Sequence, residues 1–134
     1  MRLTLRLAMT LLAVTGPVEA AAAERCNDFH EVGTASLQRD MIGKARLNGE
    51  VVTGVLLKGL CSSGFVTRSG VTWIDWIPID NIYPSRVGNV LTLQIPRNDR
   101  FDIVMYEGDP DTAIGIRATL GLLRADCHDH GKFC

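Results

Sequence analysis

The 134-residue sequence has no apolar run of the ~20 residues that a membrane-spanning helix needs, which excludes a multi-span membrane protein. It has no basic excess: 14 Lys and Arg face 15 Asp and Glu, for a formal net charge of -1. Nothing therefore neutralises a phosphate backbone or docks on an anionic bilayer, and nucleic acid is excluded as a partner class. Aromatic residues are scarce at 6%, and there are only three histidines. The G-x-S-x-G pattern of a nucleophile elbow is missing, and Ser62 and Ser63 have no histidine spaced to activate them. No glycine-rich phosphate cradle is evident, because Gly108 and the glycines around Gly64 are not expected to open a helix. What remains is ordinary for a globular chain, 46% hydrophobic and 22% charged, and long enough for one core.

The N-terminus departs from that average. Arg2 and Arg6 precede a short apolar run over residues 7–14, then Gly16-Pro17 and the alanines 20–23. A positive end, a short apolar centre and small residues at the cut are the three parts of a secretory signal peptide, assigned here to residues 1–22. The apolar run is too short for a transmembrane anchor. Ala23-Glu24-Arg25 ahead of Cys26 does not suit lipid attachment, so no stable membrane anchor is expected after signal removal. Losing Arg2, Arg6 and Glu19 leaves 12 basic and 14 acidic residues, a formal charge of -2 on residues 23–134. The expected location is periplasmic or secreted.

All four cysteines, Cys26, Cys61, Cys127 and Cys134, follow the predicted cut. An even count in a short exported chain reads as two disulfides. Three connectivities are open, of which Cys26–Cys134 with Cys61–Cys127 is favoured because one pair ties the ends and the other closes the core region. The tail from Cys127 to Cys134 also holds His128 and His130, a set that could ligate zinc if the thiols stayed reduced. Oxidation after export favours disulfides, leaving His128 and His130 as a weak alternative metal pair and no cofactor expected.

Residues 34–41 suit one or two helical turns, with Leu37 and Met41 on one face. Asn48-Gly49 marks a tight hairpin between residues 43–47 and 50–58. The latter, apolar on both faces, reads as a central strand. Residues 64–68 and 71–79 flank Ser69-Gly70, a second turn. In 71–79 the alternation places Val71, Trp73, Asp75, Ile77 and Ile79 on one face and Ile74 and Trp76 on the other, so the two tryptophans point in opposite directions. Residues 90–95 place Leu91, Leu93 and Ile95 inward, and a turn over 96–99 leads to 101–106 with Phe101, Ile103 and Met105 inward. Finally, Ile114, Ile116, Ala118, Leu120 and Leu122 alternate with Gly115, Arg117, Thr119 and Gly121, which reads as a strand. Six or seven short strands with turn punctuation predict a mainly β fold: a small antiparallel barrel or sandwich with one short N-terminal helix, as a single disulfide-braced domain.

Two resemblances accompany this reading. Residues 42–56, a strand, Asn48-Gly49 and a second strand carrying Gly54, resemble the first hairpin of SH3-like and Sm-like small barrels, and residues 76–82 resemble their closing strand. Cys61 after an apolar strand, residues 114–120 and the closing Cys127-x-x-x-Gly131-x-Phe133 are similar to VirK-type small exported bacterial proteins. The first implies a barrel and the second an exported location; neither implies a chemistry.

Candidate functional residues are few. Asp75 on an apolar face would be a strained carboxylate that could act as an acid in a pocket, unless a bulge or Arg68 relieves it. Asp109 and Asp111 supply too few oxygens for calcium. Ile74 and Trp76, extended by Tyr83 and Tyr106, make an aromatic patch suited to binding. The favoured expectation is a non-enzymatic exported module that contacts a protein or other envelope macromolecule through this patch. A small periplasmic hydrolase or metal-dependent enzyme using Asp75 or His128/His130, or a structural subunit of an envelope complex, are the alternatives.

Overall fold

The computed structural model describes residues 18–130, with side chains from 29 to 129. Residues 1–17, most of the segment read as a signal peptide, lie outside this range, as do Cys134 and the side chains of Cys26 and His130. The elements in order are α1 (Val18–Met41), β1 (Ala45–Leu47), β2 (Glu50–Val51), β3 (Gly54–Lys58), β4 (Ser62–Thr67), β5 (Gly70–Asp75), β6 (Tyr83–Val87), β7 (Val90–Arg97), β8 (Arg100–Glu107) and α2 (Pro110–His130). The chain is thus mainly β, with eight strands in two antiparallel sheets ordered β2-β1-β8-β7-β6 and β3-β4-β5. Among the described residues these sheets do not close into a barrel. None of the helices described is long and apolar enough to cross a membrane.

The expected hairpin at Asn48-Gly49 forms, with φ of 51° and 86°, the positive values such a turn demands. The continuous strand expected over 50–58 is broken at a corner. Gly43 N–H donates to Val52 O (2.8 Å) and Val52 N–H to Ala45 O (2.9 Å), whereas Thr53 N–H donates to Val66 O (2.8 Å). One residue later the chain belongs to the other sheet. Both Val52 and Val55 are buried, an odd spacing that period-two reading cannot give. Glu50 anchors the neighbouring β4–β5 turn. The Ser69 hydroxyl, then the Arg68 guanidinium, hold its carboxyl below the usual carboxylate range. Because that pKa is depressed, the contacts persist at neutral pH and are lost as pH falls through the lowered value. The protection factor of the Ser69 amide, its exchange rate relative to the unfolded chain at the same pH, should fall in that acidic window, and Glu50→Gln should remove that fall.

The two helices differ most from expectation. α1 runs 24 residues rather than one or two turns. Its buried stripe, His30, Thr34, Leu37 and Met41, includes the expected Leu37–Met41 pair, but two polar members hid its upper half. Residues 114–122 form helix, not strand. The residues actually buried are Ala113, Ile116, Leu120, Leu123 and Cys127, whereas Ile114 and Leu122 are exposed. Spacings of three and four define a helical face. Its start is capped by Asp109, whose carboxylate accepts the Thr112 N–H and hydroxyl, each at 3.0 Å, with Pro110 at the first helical position. A helix therefore does follow Gly108, but the Asp109 carboxylate occupies its N-terminus and opposes an anion there. The helices meet closely at Gly33, where a Cβ would lie 3.4 Å from a methyl of Leu123. One core runs from Leu37 and Met41 through Leu47, Phe65, Leu93 and Val104 to Ile116 and Leu123.

Candidate functional site

β6 begins only at Tyr83, opposite Gln94 of β7. The remainder of β7, through Ile95, Pro96 and Arg97, therefore has no strand on that side among the described residues. β5 likewise pairs only with β4 among the described strands. A cleft of about 460 Å³ lies between these two edges, within the size range of ligand sites. Its lining includes Trp73 and Asp75 of β5, Pro78 and Asp80 of the following loop, and Pro96 and Arg97 of β7.

The cleft floor is built on a buried charge. Asp102 is fully buried; its carboxylate accepts from Arg97 (3.1 Å) and from the side-chain amide of Asn48 (3.0 Å). Asn48 is itself fixed, accepting the Ile103 N–H at 2.8 Å. Asp102→Ala should cost about 2–3 kcal/mol, less than the full loss for a wholly buried pair because Arg97 reaches solvent. Urea unfolding would check this; an unchanged midpoint would mean that the pair contributes nothing to stability.

The outer wall is the loop after β5, and α2 holds it from behind. The Arg124 guanidinium donates to Asp80 O at 2.9 Å, and the His128 Nδ1–H donates to Ile77 O at 2.7 Å. Trp76 N–H donates to Cys61 O at 2.8 Å, and Cys61 is disulfide-bonded to Cys127 of α2. This is one of the two expected disulfides; Cys26 and Cys134 fall outside the described side chains.

The aromatic patch expected of Ile74, Trp76, Tyr83 and Tyr106 does not assemble on the surface. Ile74, Trp76 and Tyr106 are in the core and only Tyr83 is exposed, edge-on to Phe101 at 6.2 Å. The tryptophans do point in opposite directions, but Trp73 is the outward one, 37% exposed against 0% for Trp76. The Trp73 ring lies flat over Gly64, where any Cβ would come within 2.8 Å of it, and Lys58 Nζ sits 5.7 Å from its centre. β8 is also in the opposite phase from that expected: Asp102, Val104 and Tyr106 face inward, and Phe101 and Met105 outward. Register decides this, since Leu91, Leu93 and Ile95 lie opposite Tyr106, Val104 and Asp102 and directly paired residues share a face. Asp75 is exposed, and its carboxylate accepts the Ile77 N–H at 3.1 Å, while Arg68 is engaged by Glu50. It is not a carboxylate stranded on an apolar face.

The nucleophile candidates do not converge. Ser63 is buried and accepts the Trp76 indole N–H at 2.8 Å. Neither described histidine, His30 nor His128, lines the cleft. Asp109 is spent on the helix cap. Sequence reasoning missed Trp73, Asp80, Arg97 and Asp102 as cleft residues; the available signal was the row Asp102, Val104 and Tyr106, in phase with a β7 pattern that was read correctly. No family model, curated protein or solved structure matches the chain.

Proposed function

We propose that this chain is an exported, non-enzymatic binding module that takes an extended segment of a protein partner into the cleft between β5 and the end of β7. One observation carries the reading: two strand edges without partners among the described residues flank a single cleft of about 460 Å³. An extended peptide can add to such edges through its backbone, with alternate side chains settling into the lining. On this reading the two sheets are an SH3/Sm-like small barrel, cornered at Val52 and opened where the partner enters. Trp73 and Pro96 give apolar contact. Asp75 and Asp80 outnumber Arg97, whose charge Asp102 already neutralises, so the lining favours a lysine or arginine side chain on the partner. A disulfide bracing the wall suits an oxidising compartment.

The test is a titration of residues 23–134 with a blocked seven-residue peptide alternating Val and Lys, against its Val/Glu counterpart. The Val/Lys peptide should perturb the indole resonance of Trp73 and not that of Trp76, and Asp80→Asn should weaken binding about fivefold, the equivalent of roughly 1 kcal/mol. Equal binding of both peptides, or of neither, would remove the reading.

A further inference from the structure

Behind the cleft wall, three elements bring together a second cluster that the proposed binding role does not use. His30 of α1 is fully buried, and its Nε2–H donates to Asp126 of α2 at 2.8 Å. The same Nε2 lies 4.0 Å from Cys127 Sγ. Donor atoms of His30, Cys61 and Cys127 all fall within 4.8 Å of one another. Cys61 comes from the β3–β4 turn, so the set joins α1, α2 and the sheet. His30 Nδ1 finds no hydrogen-bond partner among the described residues, so packing alone does not explain a histidine here. A buried polar group with half its capacity unmet costs stability, and a branched aliphatic side chain would pack against a disulfide without that cost.

We propose that, once the Cys61–Cys127 bond is reduced, this cluster is a zinc site with His30, Cys61, Cys127 and Asp126 as ligands. Two thiolates, an imidazole and a carboxylate form a donor set that Zn²⁺ accepts, and Zn–S and Zn–N bonds near 2.3 and 2.0 Å place tetrahedral ligand atoms about 3.3–3.8 Å apart. The observed 2.8 and 4.0 Å separations at His30 Nε2 bracket that range; on reduction the two sulfurs must part by about 1.7 Å, and the Asp126 carboxylate, which lies outside the 4.8 Å cluster of the other three, must swing towards them. Cys61 and Asp126 are partly exposed and give the ion an entry path, while His30 and Cys127 close the site from inside. The chemistry balances with a dithiol as reductant. The dithiol gives two electrons and two protons to the protein disulfide, yielding two cysteine thiols and a cyclic disulfide. Zinc binding then releases both thiol protons to solvent, and the His30 ring proton moves from Nε2 to Nδ1 so that Nε2 can ligate. Disulfide and metal are mutually exclusive occupants, so the brace behind the cleft wall would be covalent in an oxidising compartment and metallic in a reducing one.

The experiment uses the wild-type chain, residues 23–134, oxidised and reduced, with ZnCl₂ as the probe. Each form is desalted against a chromophoric chelator for zinc content, then alkylated and mapped by peptide mass. The reduced chain should retain one zinc, the oxidised chain none. Zinc should slow alkylation of Cys61 and Cys127 at least tenfold while leaving Cys26 and Cys134 unprotected, and Asp126→Asn should weaken retention at least tenfold. The proposal is overturned by a reduced chain that retains no zinc, by equal retention in the oxidised chain, or by zinc that protects Cys26 and Cys134 instead. A reduced chain that unfolds and binds zinc without selective protection overturns it equally.

Discussion

Trp76→Ala should lower the unfolding free energy by about 3–5 kcal/mol, whereas Trp73→Ala should lower it by only about 1–2 kcal/mol. The two side chains are three residues apart and chemically identical, so the contrast isolates environment. Trp76 is wholly buried in the core, and its indole N–H is the partner of the buried Ser63 hydroxyl. Truncation leaves a large cavity and an unpaired hydroxyl together. Trp76→Phe separates these terms: most of the apolar volume stays, Ser63 loses its donor, and a loss of about 1–3 kcal/mol remains. Trp73 packs one face on Gly64, with Lys58 over the ring, and keeps 37% of its surface in solvent, so its loss removes less buried area and leaves neither a core cavity nor an unpaired hydroxyl, but it should weaken binding of the Val/Lys peptide. Denaturant unfolding of the three variants, with m-values compared to confirm a common transition, gives the result directly. A reversed order, with Trp73→Ala the less stable variant, would mean that β5 presents the opposite face from the one described, and equal midpoints would mean that the two environments do not differ.

The same two residues show what was legible in the sequence. Their opposite orientation followed from spacing alone. Which one faced inward did not, because Val71, Trp73, Ile77 and Ile79 form the longer apolar row, and counting apolar residues chooses the longer row. The chain instead buries Ile74 and Trp76, continuous with Val55 and Phe65 across β3 and β4. β8 failed for a related reason. Phe101, Ile103 and Met105 look more apolar than Asp102, Val104 and Tyr106, yet pairing with β7 fixes the phase, and Asp102 is tolerated inward because Arg97 and Asn48 meet it. Where local chemistry demands a backbone geometry, as at Asn48-Gly49, the reading holds without tertiary information. α2 was lost to coincidence: five apolar residues at even spacing satisfied a strand, although Asp109-Pro110-x-Thr112 spelled a helix start. The cleft itself was not legible, since it depends on β6 falling short of the end of β7, a difference in strand length that no single segment encodes.

Replacing both members of the Cys61–Cys127 bridge with alanine should lower the unfolding free energy by about 4 kcal/mol. The figure follows from the entropy of releasing a loop of 66 residues from the unfolded chain. For a domain of this size the equivalent fall in Tm is on the order of 20 °C. The loss should not be spread evenly. Cys61 O accepts the Trp76 N–H, and Cys127 lies one turn from Arg124 and beside His128, which hold the backbone at Ile79, Asp80 and Ile77. Without the bridge, α2 and the β3–β4 turn are joined only by packing, and the cleft wall loses its covalent tie. Under conditions where the variant stays folded, amide exchange should therefore accelerate at residues 76–80 and stay unchanged at the Asn48 turn. Affinity for the Val/Lys peptide should fall with it, because the bound form must then order a wall that the bridge had fixed beforehand. A large stability loss with unaltered exchange at 76–80 would confine the disulfide to bracing the unfolded chain. Acceleration confined to that segment would make it the element that sets the cleft's shape.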